Sequence, residues 1–149
     1  MRKSFLVLLV IVQILILGCS HKWSDPADSL PSEKISIANL LANNIAYDSA
    51  GVSLTGKVWD LKHFTIPETA TDPEFTYTTF TLADRKGVGL NVYASGTPPI
   101  TDGSFVRVIG VYRKEFRPAQ DIFQNTVDAV RIEDWKPGVV YWMREYEFD

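Results

Sequence analysis

Apolar and polar residues alternate along most of the chain after residue 51, and this alternation predicts β-strands. Apolar side chains at every second position lie on one face of a strand. Near the start of this region, Val52, Leu54 and Val58 alternate with Ser53 and Lys57. Five segments show such a pattern and are predicted to be strands: residues 52–59, 74–83, 88–94, 104–112 and 126–132. The chain is therefore predicted to be mostly β.

The connections between these strands are predicted to differ in length. Asp84-Arg-Lys-Gly87 ends in glycine and predicts a tight hairpin turn between the second and third strands. Residues 63–73 predict a long loop after the first strand, and another loop begins at Arg117 after the fourth. Residues 95–103 contain two adjacent prolines and predict a connection without a helix.

A short helix is predicted before the strands. Ile37, Leu40 and Leu41 follow the spacing of one helical face, and Ser36 is a suitable N-cap. Asn43 and its neighbour are predicted to end the helix. A helix this short is not stable alone, so we expect it to pack against the strands.

One helix followed by five strands resembles the OB-fold, a five-stranded Greek-key barrel. Glycines inside the first and fourth strands fit it, because a small barrel needs sharp coiling and close backbone approach. The resemblance covers residues 35–136, which we predict to be one OB-fold-like domain; another small β-barrel or a sandwich is the alternative. The segments that carry it are Val52-Ser-Leu-Thr-Gly56-Lys-Val58, Phe80-Thr-Leu82-Ala-Asp84, Asp102-Gly103-Ser-Phe-Val106-Arg-Val108-Ile-Gly110 and Val127-Asp-Ala129.

The first 19 residues have the layout of an export signal. Two basic residues precede an apolar run, residues 5–17, which ends in Ile16-Leu17-Gly18-Cys19. As a helix the run covers roughly 20 Å, too little for a bilayer core of about 30 Å. It resembles the lipobox of bacterial lipoproteins, although Leu17 is bulkier than that family usually has there. An ordinary secretory signal is the alternative.

The lipobox resemblance implies cleavage before Cys19 and acylation of that residue, so that acyl chains hold the protein in a membrane. Ser20 then favours the outer membrane over the inner one in a Gram-negative cell, with the protein facing the periplasm. Residues 19–34 are predicted to be the lipidated cysteine and a flexible tether. Cys19 is the only cysteine, so neither a disulfide nor a cysteine-based metal site is expected.

The charge of the chain is mildly acidic. Removing the first 18 residues from 149 leaves 131, and the loss of Arg2 and Lys3 shifts the net charge from −3 to −5. This balance disfavours nucleic acid as a partner. Residues 137–149 form an aromatic C-terminal extension, which either packs on the barrel or docks a partner.

The sequence predicts a protein that is not an enzyme and has no catalytic residues, metal site or cofactor. His21 and His63 are isolated from other candidate ligands or triad members. Asp72, Glu74 and Asp84 are predicted to be solvated carboxylates, since such loop residues rarely form acid–base pairs.

A binding surface is predicted on the outer face of the second and third strands, where OB barrels bind their ligands. Aromatic and basic side chains there could stack on bases or sugars. The alternative is that Trp59, Phe75 and Tyr77 pack beneath the helix or the C-terminal extension. The candidate ligand-binding residues are Lys57, Trp59, Tyr77, Asn91 and Tyr93.

The predicted function is a lipid-anchored, non-catalytic binding or scaffold module of the bacterial cell envelope, whose partner is an envelope protein, a peptide or a glycan. Alternatives are an oligosaccharide- or nucleic-acid-binding OB-fold protein and an enzyme with an unrecognised site. A small-ligand carrier, like the short periplasmic bacterial OB-fold proteins, is another. The haem chaperone of cytochrome c maturation is also similar in fold, but it attaches haem through a histidine after the last strand. Residues 133–141 contain no histidine here.

Overall fold

The computed structural model describes residues 30–70, 72–118 and 121–139, and strands dominate them. This confirms the prediction of a mostly β chain with a short helix before the long strands. The elements are β1 (Glu33–Lys34), α1 (Ile37–Ala42), β2 (Gly51–Ile66), β3 (Phe75–Ala83), β4 (Gly89–Ser95), β5 (Phe105–Phe116) and β6 (Phe123–Asp134).

The strands form one mixed sheet in the order β1-β2-β3-β4-β6-β5. β5 also pairs with β2, so the five long strands form a closed ring of hydrogen-bonded neighbours. The pairs β4–β6 and β1–β2 are parallel, and the other pairs are antiparallel. Every long strand of the ring pairs with two others, and β2 does so in halves, with residues 51–57 paired to β5 and residues 57–66 paired to β3.

The core lies inside the ring and is formed by alternate residues of its strands. Two glycines let the strands approach closely. A Cβ at Gly56 would lie 2.5 Å from the carbonyl oxygen of Ala83, and one at Gly110 would lie 2.2 Å from that of Asp128. The core side chains include Val52, Leu54, Val58, Phe80, Leu82, Leu90, Val92, Val106, Val108, Tyr112 and Val127.

Helix α1 packs against this core as the sequence predicted. Ser36 is its N-cap, and the Ser36 hydroxyl accepts a hydrogen bond from the backbone N–H of Asn39 at 3.2 Å. Ile37 and Leu40 are buried members of the core cluster. The helix ends at Ala42, immediately before the predicted stop. Its apolar face therefore covers part of the ring.

Strand β2 is longer than the sequence predicted, and the prediction of a loop beginning at residue 63 was wrong. A bulge between Trp59 and Lys62 shifts the pairing with β3, and pairing then continues to Ile66. Asp60 lies in the bulge in the left-handed region, with φ 53°. The Asp102 carboxylate accepts a hydrogen bond from the backbone N–H of Leu61 at 3.1 Å, which holds the bulge.

The remaining strands agree with the prediction in position and differ in length. β5 continues four residues past the predicted end at Tyr112, and β6 begins three residues earlier than predicted, at Phe123. The predicted hairpin turn is confirmed: Gly87 has φ 79°, and the Asp84 carboxylate accepts hydrogen bonds from two backbone N–H groups of the turn.

Some predictions fall on parts of the chain outside the described residues. These include the signal segment, Cys19 and most of the C-terminal extension, from residue 140 onward. Of the predicted tether, residues 30–34 are described. Glu33 and Lys34 form strand β1 and pair with β2, so these two residues are not part of a flexible tether. Within the described ranges, no helix is long and apolar enough to cross a membrane.

Candidate ligand-binding surface

The outer face of β2, β3 and β4 brings together the residues that the sequence predicted as a binding surface. The strand register places Trp59 opposite Thr81, and Thr81 opposite Asn91. Beyond the bulge, Phe64 lies opposite Tyr77. Cross-strand partners share one face of a sheet, so this face extends along the strands and has two distinct ends.

One end carries a continuous row of aromatic rings, which we call the aromatic row: Phe64, Phe75, Tyr77, Tyr93, Phe116 and Phe123. Tyr77 is at its centre. Its ring stacks on Phe64 with centroids 4.9 Å apart and on Tyr93 with centroids 5.2 Å apart. All five strands of the ring contribute to the row, which continues from Tyr93 to Phe116 and Phe123.

Exposure varies strongly within the aromatic row. Tyr77 and Tyr93 retain only 7% and 4% of their accessible surface. Phe64 and Phe75 are 40% and 38% exposed. The buried tyrosines therefore support the row, while the two phenylalanines offer apolar surface to an incoming molecule.

A pocket of about 660 Å³ adjoins the aromatic row, and we call it the loop pocket. It lies between the loop that joins β2 to β3 and the loop that joins β5 to β6. Its size falls within the range of small-molecule sites, roughly 300–1,000 Å³. The described residues that line it are Ile66, Pro67, Thr69, Asp72, Pro73, Phe75, Tyr77, Pro118 and Asp121.

Tyr77 connects the aromatic row to a carboxylate of the loop pocket. The Tyr77 hydroxyl donates a hydrogen bond to the Asp121 carboxylate at 3.2 Å. Burial, and then the hydrogen bond and the negative charge of Asp121, raise the pKa of Tyr77 above its ordinary value. Burial and the nearby Asp128 raise the pKa of Tyr93 in the same direction. Both hydroxyls therefore stay protonated at neutral pH, and Tyr77 holds the Asp121 carboxylate beside the pocket.

The other end of the face contains a groove of about 520 Å³, which we call the Lys57–Trp59 groove. The Lys57 ammonium lies 4.7 Å from the centroid of the Trp59 ring and 5.9 Å from that of Phe105. Both distances fit cation–π contacts. Trp59 is 50% exposed, and Ala83 and Gly89 leave space beside it. The groove thus combines an accessible aromatic face with a fixed positive charge.

The candidate residues consequently do not form a single site. Lys57 and Trp59 line the groove, whereas Tyr77 and Tyr93 are buried in the aromatic row at the other end. Asn91 is exposed between the two ends, where its side-chain amide donates to the backbone oxygen of Gln124 at 3.3 Å. A role in ligand binding stays a prediction for all five.

Sequence reasoning missed several residues of the aromatic row and the loop pocket. Phe64 was assigned to a loop, and Phe116 and Phe123 lie beyond the predicted strand ends. The signal for Phe64 was available, because Phe64 and Ile66 continue an alternation with polar residues. No local signal indicated that Asp121 would reach Tyr77, 44 residues away.

His63 and Asp84, which the sequence analysis considered as ligands or acid–base groups, both form hydrogen bonds within the fold. The Thr78 hydroxyl donates to the backbone oxygen of Gly96 at 2.7 Å, so it accepts from Nδ1 of His63 at 2.8 Å. Asp84 is used by the hairpin turn. Across the described part of the chain, no group of three or more histidine, cysteine or acidic side chains could hold a metal ion.

Neither the models of known protein families nor the curated proteins give a match to the sequence.

Proposed function

We propose that this chain is a lipid-anchored, non-catalytic binding module of the bacterial cell envelope, built on an OB-fold. The closed ring of five long strands with its single parallel pair, β4–β6, supports the OB-fold. So does the placement of the β2–β3 and β5–β6 loops beside one strand face, since OB-folds bind ligands on the face that the corresponding loops flank.

The anchor is the part of the proposal that rests on sequence. Cys19 follows Ile16-Leu17-Gly18 in the arrangement of a lipobox, and acyl chains on it hold the protein at the membrane. A Cys19→Ser variant, which cannot be acylated, is expected to leave the membrane fraction and to lose incorporation of labelled fatty acid. Continued membrane retention of that variant would contradict the anchor.

The observation that carries the binding function is the exposed side of the aromatic row. Phe64 and Phe75 keep more than a third of their surface accessible although they stand in a stacked row. Clustered exposed aromatic surface beside a pocket is typical of interaction sites. We propose that this surface binds the module's partner in the envelope.

The experiment compares capture of envelope components by three forms of the acylated protein. The Phe64→Ser, Phe75→Ser double variant is expected to lose its partner, because it removes the exposed rings. Val130→Ser is the matched control, since Val130 is also a large exposed apolar residue but lies on β6 outside the aromatic row. Identical components captured by all three forms would remove this surface from the proposal.

Oligosaccharide binding is a second candidate, favoured by the Lys57–Trp59 groove. A half-exposed indole ring with small neighbours can stack on a sugar, and Lys57 can bind an acidic substituent. Trp59→Ala is expected to abolish binding of acidic envelope oligosaccharides, whereas the double variant at Phe64 and Phe75 keeps it. Unchanged binding by Trp59→Ala would exclude the groove.

A further inference from the structure

The walls of the loop pocket are mostly apolar and suited to a long side chain. The rings of Phe75 and Tyr77 form one part of the lining, and Pro67, Pro73 and Pro118 contribute another. Side chains such as lysine and arginine pack their methylene stems along surfaces of this kind and keep the charged group at the rim. Aromatic rings also attract a cation placed over their faces.

The charged residues that line the loop pocket are negative, and Arg117, next to its wall, is paired with Glu115. Asp72 and Asp121 are part of its lining, which contains no lysine or arginine among the described residues. The β2–β3 loop also carries Glu68 and Glu74. One carboxylate oxygen of Asp121 accepts the hydrogen bond from the Tyr77 hydroxyl. Within the described ranges, Asp121 forms no ion pair. Its negative charge is therefore available to a ligand.

We propose that the loop pocket binds the lysine or arginine side chain of a basic polypeptide segment. The inference rests on the proposed function of this surface and names the class of its partner. The side chain inserts between the aromatic and proline rings, and its cationic group pairs with Asp121 at the rim.

The surroundings of the pocket favour a polypeptide over a free organic cation. Phe64 and Ile66 are exposed on β2, and Ile122 is exposed directly after Asp121. A small cation fills the pocket and leaves these side chains uncovered. A polypeptide places apolar residues on them while its basic side chain enters the pocket, so the apolar surface and the charge are used together.

The proposal is tested with equal-length fluorescent peptides built on the repeats Lys-Gly-Leu-Gly, Gln-Gly-Leu-Gly and Glu-Gly-Leu-Gly, titrated with the full chain. The three differ only in charge. The lysine peptide is expected to bind at least about tenfold more tightly than the glutamine peptide, and this preference should shrink as salt is added because exposed charges are screened. The glutamate peptide is expected to bind most weakly.

Two single variants then locate the site. Asp121→Asn should reduce the preference for the lysine peptide to about threefold or less, since a partly exposed ion pair is replaced by a neutral contact. Asp134→Asn is the matched control, because Asp134 is an exposed carboxylate at the opposite end of β6 and should leave the preference unchanged. Circular dichroism checks that both variants are folded.

The outcomes separate this inference from the function on which it rests. Equal binding of all three peptides, weakened in each case by Phe75→Ala, would overturn the selection for cations and leave the binding surface in place. An unchanged preference in Asp121→Asn would also overturn it. Spermine provides the free cation: if it displaces the lysine peptide as effectively as unlabelled peptide does, the polypeptide assignment is wrong.

Discussion

The hydroxyl of Tyr112 donates a hydrogen bond to the side-chain oxygen of Asn125 at 2.7 Å. Tyr112 is fully buried in the core, and Asn125 adopts a left-handed backbone conformation with φ 47°. The amide of Asn44 also approaches the same oxygen, at 3.5 Å. This contact therefore joins β5, β6 and the segment after α1 at a residue whose backbone lies in the left-handed region.

Tyr112→Phe is expected to destabilise the protein by about 1–2 kcal/mol, because the part-buried oxygen of Asn125 loses its best donor. Urea unfolding measures the difference. Tyr47→Phe is the matched control, since the Tyr47 hydroxyl makes only an exposed contact with Glu33 at 3.5 Å, and it should change stability by less than about 0.5 kcal/mol. Equal stability of Tyr112→Phe and the unaltered protein would show that this hydrogen bond contributes nothing.

Gly110→Ala is expected to cost about 1–3 kcal/mol or more, because the added methyl group meets rigid backbone. Its Cβ would lie 2.2 Å from the carbonyl oxygen of Asp128, so β5 and β6 would have to separate. Gly138→Ala is the control, as no atom lies within 4 Å of its Cβ position. Thermal unfolding compares the two variants, and a similar effect at both positions would contradict the close approach of the strands.

Local signals in the sequence were sufficient for much of the fold. Ser36 and the apolar spacing after it predicted α1, and Asp84 with Gly87 predicted the hairpin turn. In each case the residues that decide the structure are neighbours in the chain, as capping and turn formation require.

Longer-range contacts decided what the sequence did not reveal. β2 continues past Asp60 by pairing with β3, and Asp102, from a different part of the chain, supports the bulge between the two halves. Tyr93 was predicted to face outward, yet it is buried because Phe116 and Phe123 cover it from β5 and β6. The alternation within β4 predicts which face Tyr93 lies on. It does not reveal that β5 and β6 extend far enough to cover that residue.

Alkaline pH is expected to destabilise the protein through its buried tyrosines. Burial is the main cause that raises the pKa of Tyr77, Tyr93 and Tyr112 above 10.0. A pKa raised on folding gives stability that is fully present below the unfolded pKa and is lost as pH rises through the folded one. Unfolding free energy should therefore fall once the pH exceeds 10.0.

Tyrosinate absorbance and urea unfolding, measured over the same alkaline series, check this prediction. Tyr77→Phe should lose less stability on moving from neutral to alkaline pH than the unaltered protein does, because one of the three tyrosines with a raised pKa is gone. Titration of every tyrosine near 10.0 in the folded protein, with no loss of stability, would contradict it.

Among the carboxylates of the described residues, Asp128 is the one whose replacement is expected to stabilise the protein at neutral pH. Burial raises the pKa of Asp128 above 3.8, and the positive charge of Arg113 only partly opposes this effect. The folded state therefore favours the protonated carboxyl, and ionisation as pH rises through the folded pKa costs stability.

Asp128→Asn has nearly the same shape without the charge, so its unfolding free energy should exceed that of the unaltered protein at neutral pH. The advantage should disappear below pH 3.8, where the carboxyl is protonated in both folded and unfolded states. Asp134→Asn, at an exposed carboxylate of the same strand, should show no such gain. Urea unfolding at both pH values measures the effect. A less stable Asp128→Asn at neutral pH would mean that the attraction of Arg113 outweighs the burial of Asp128.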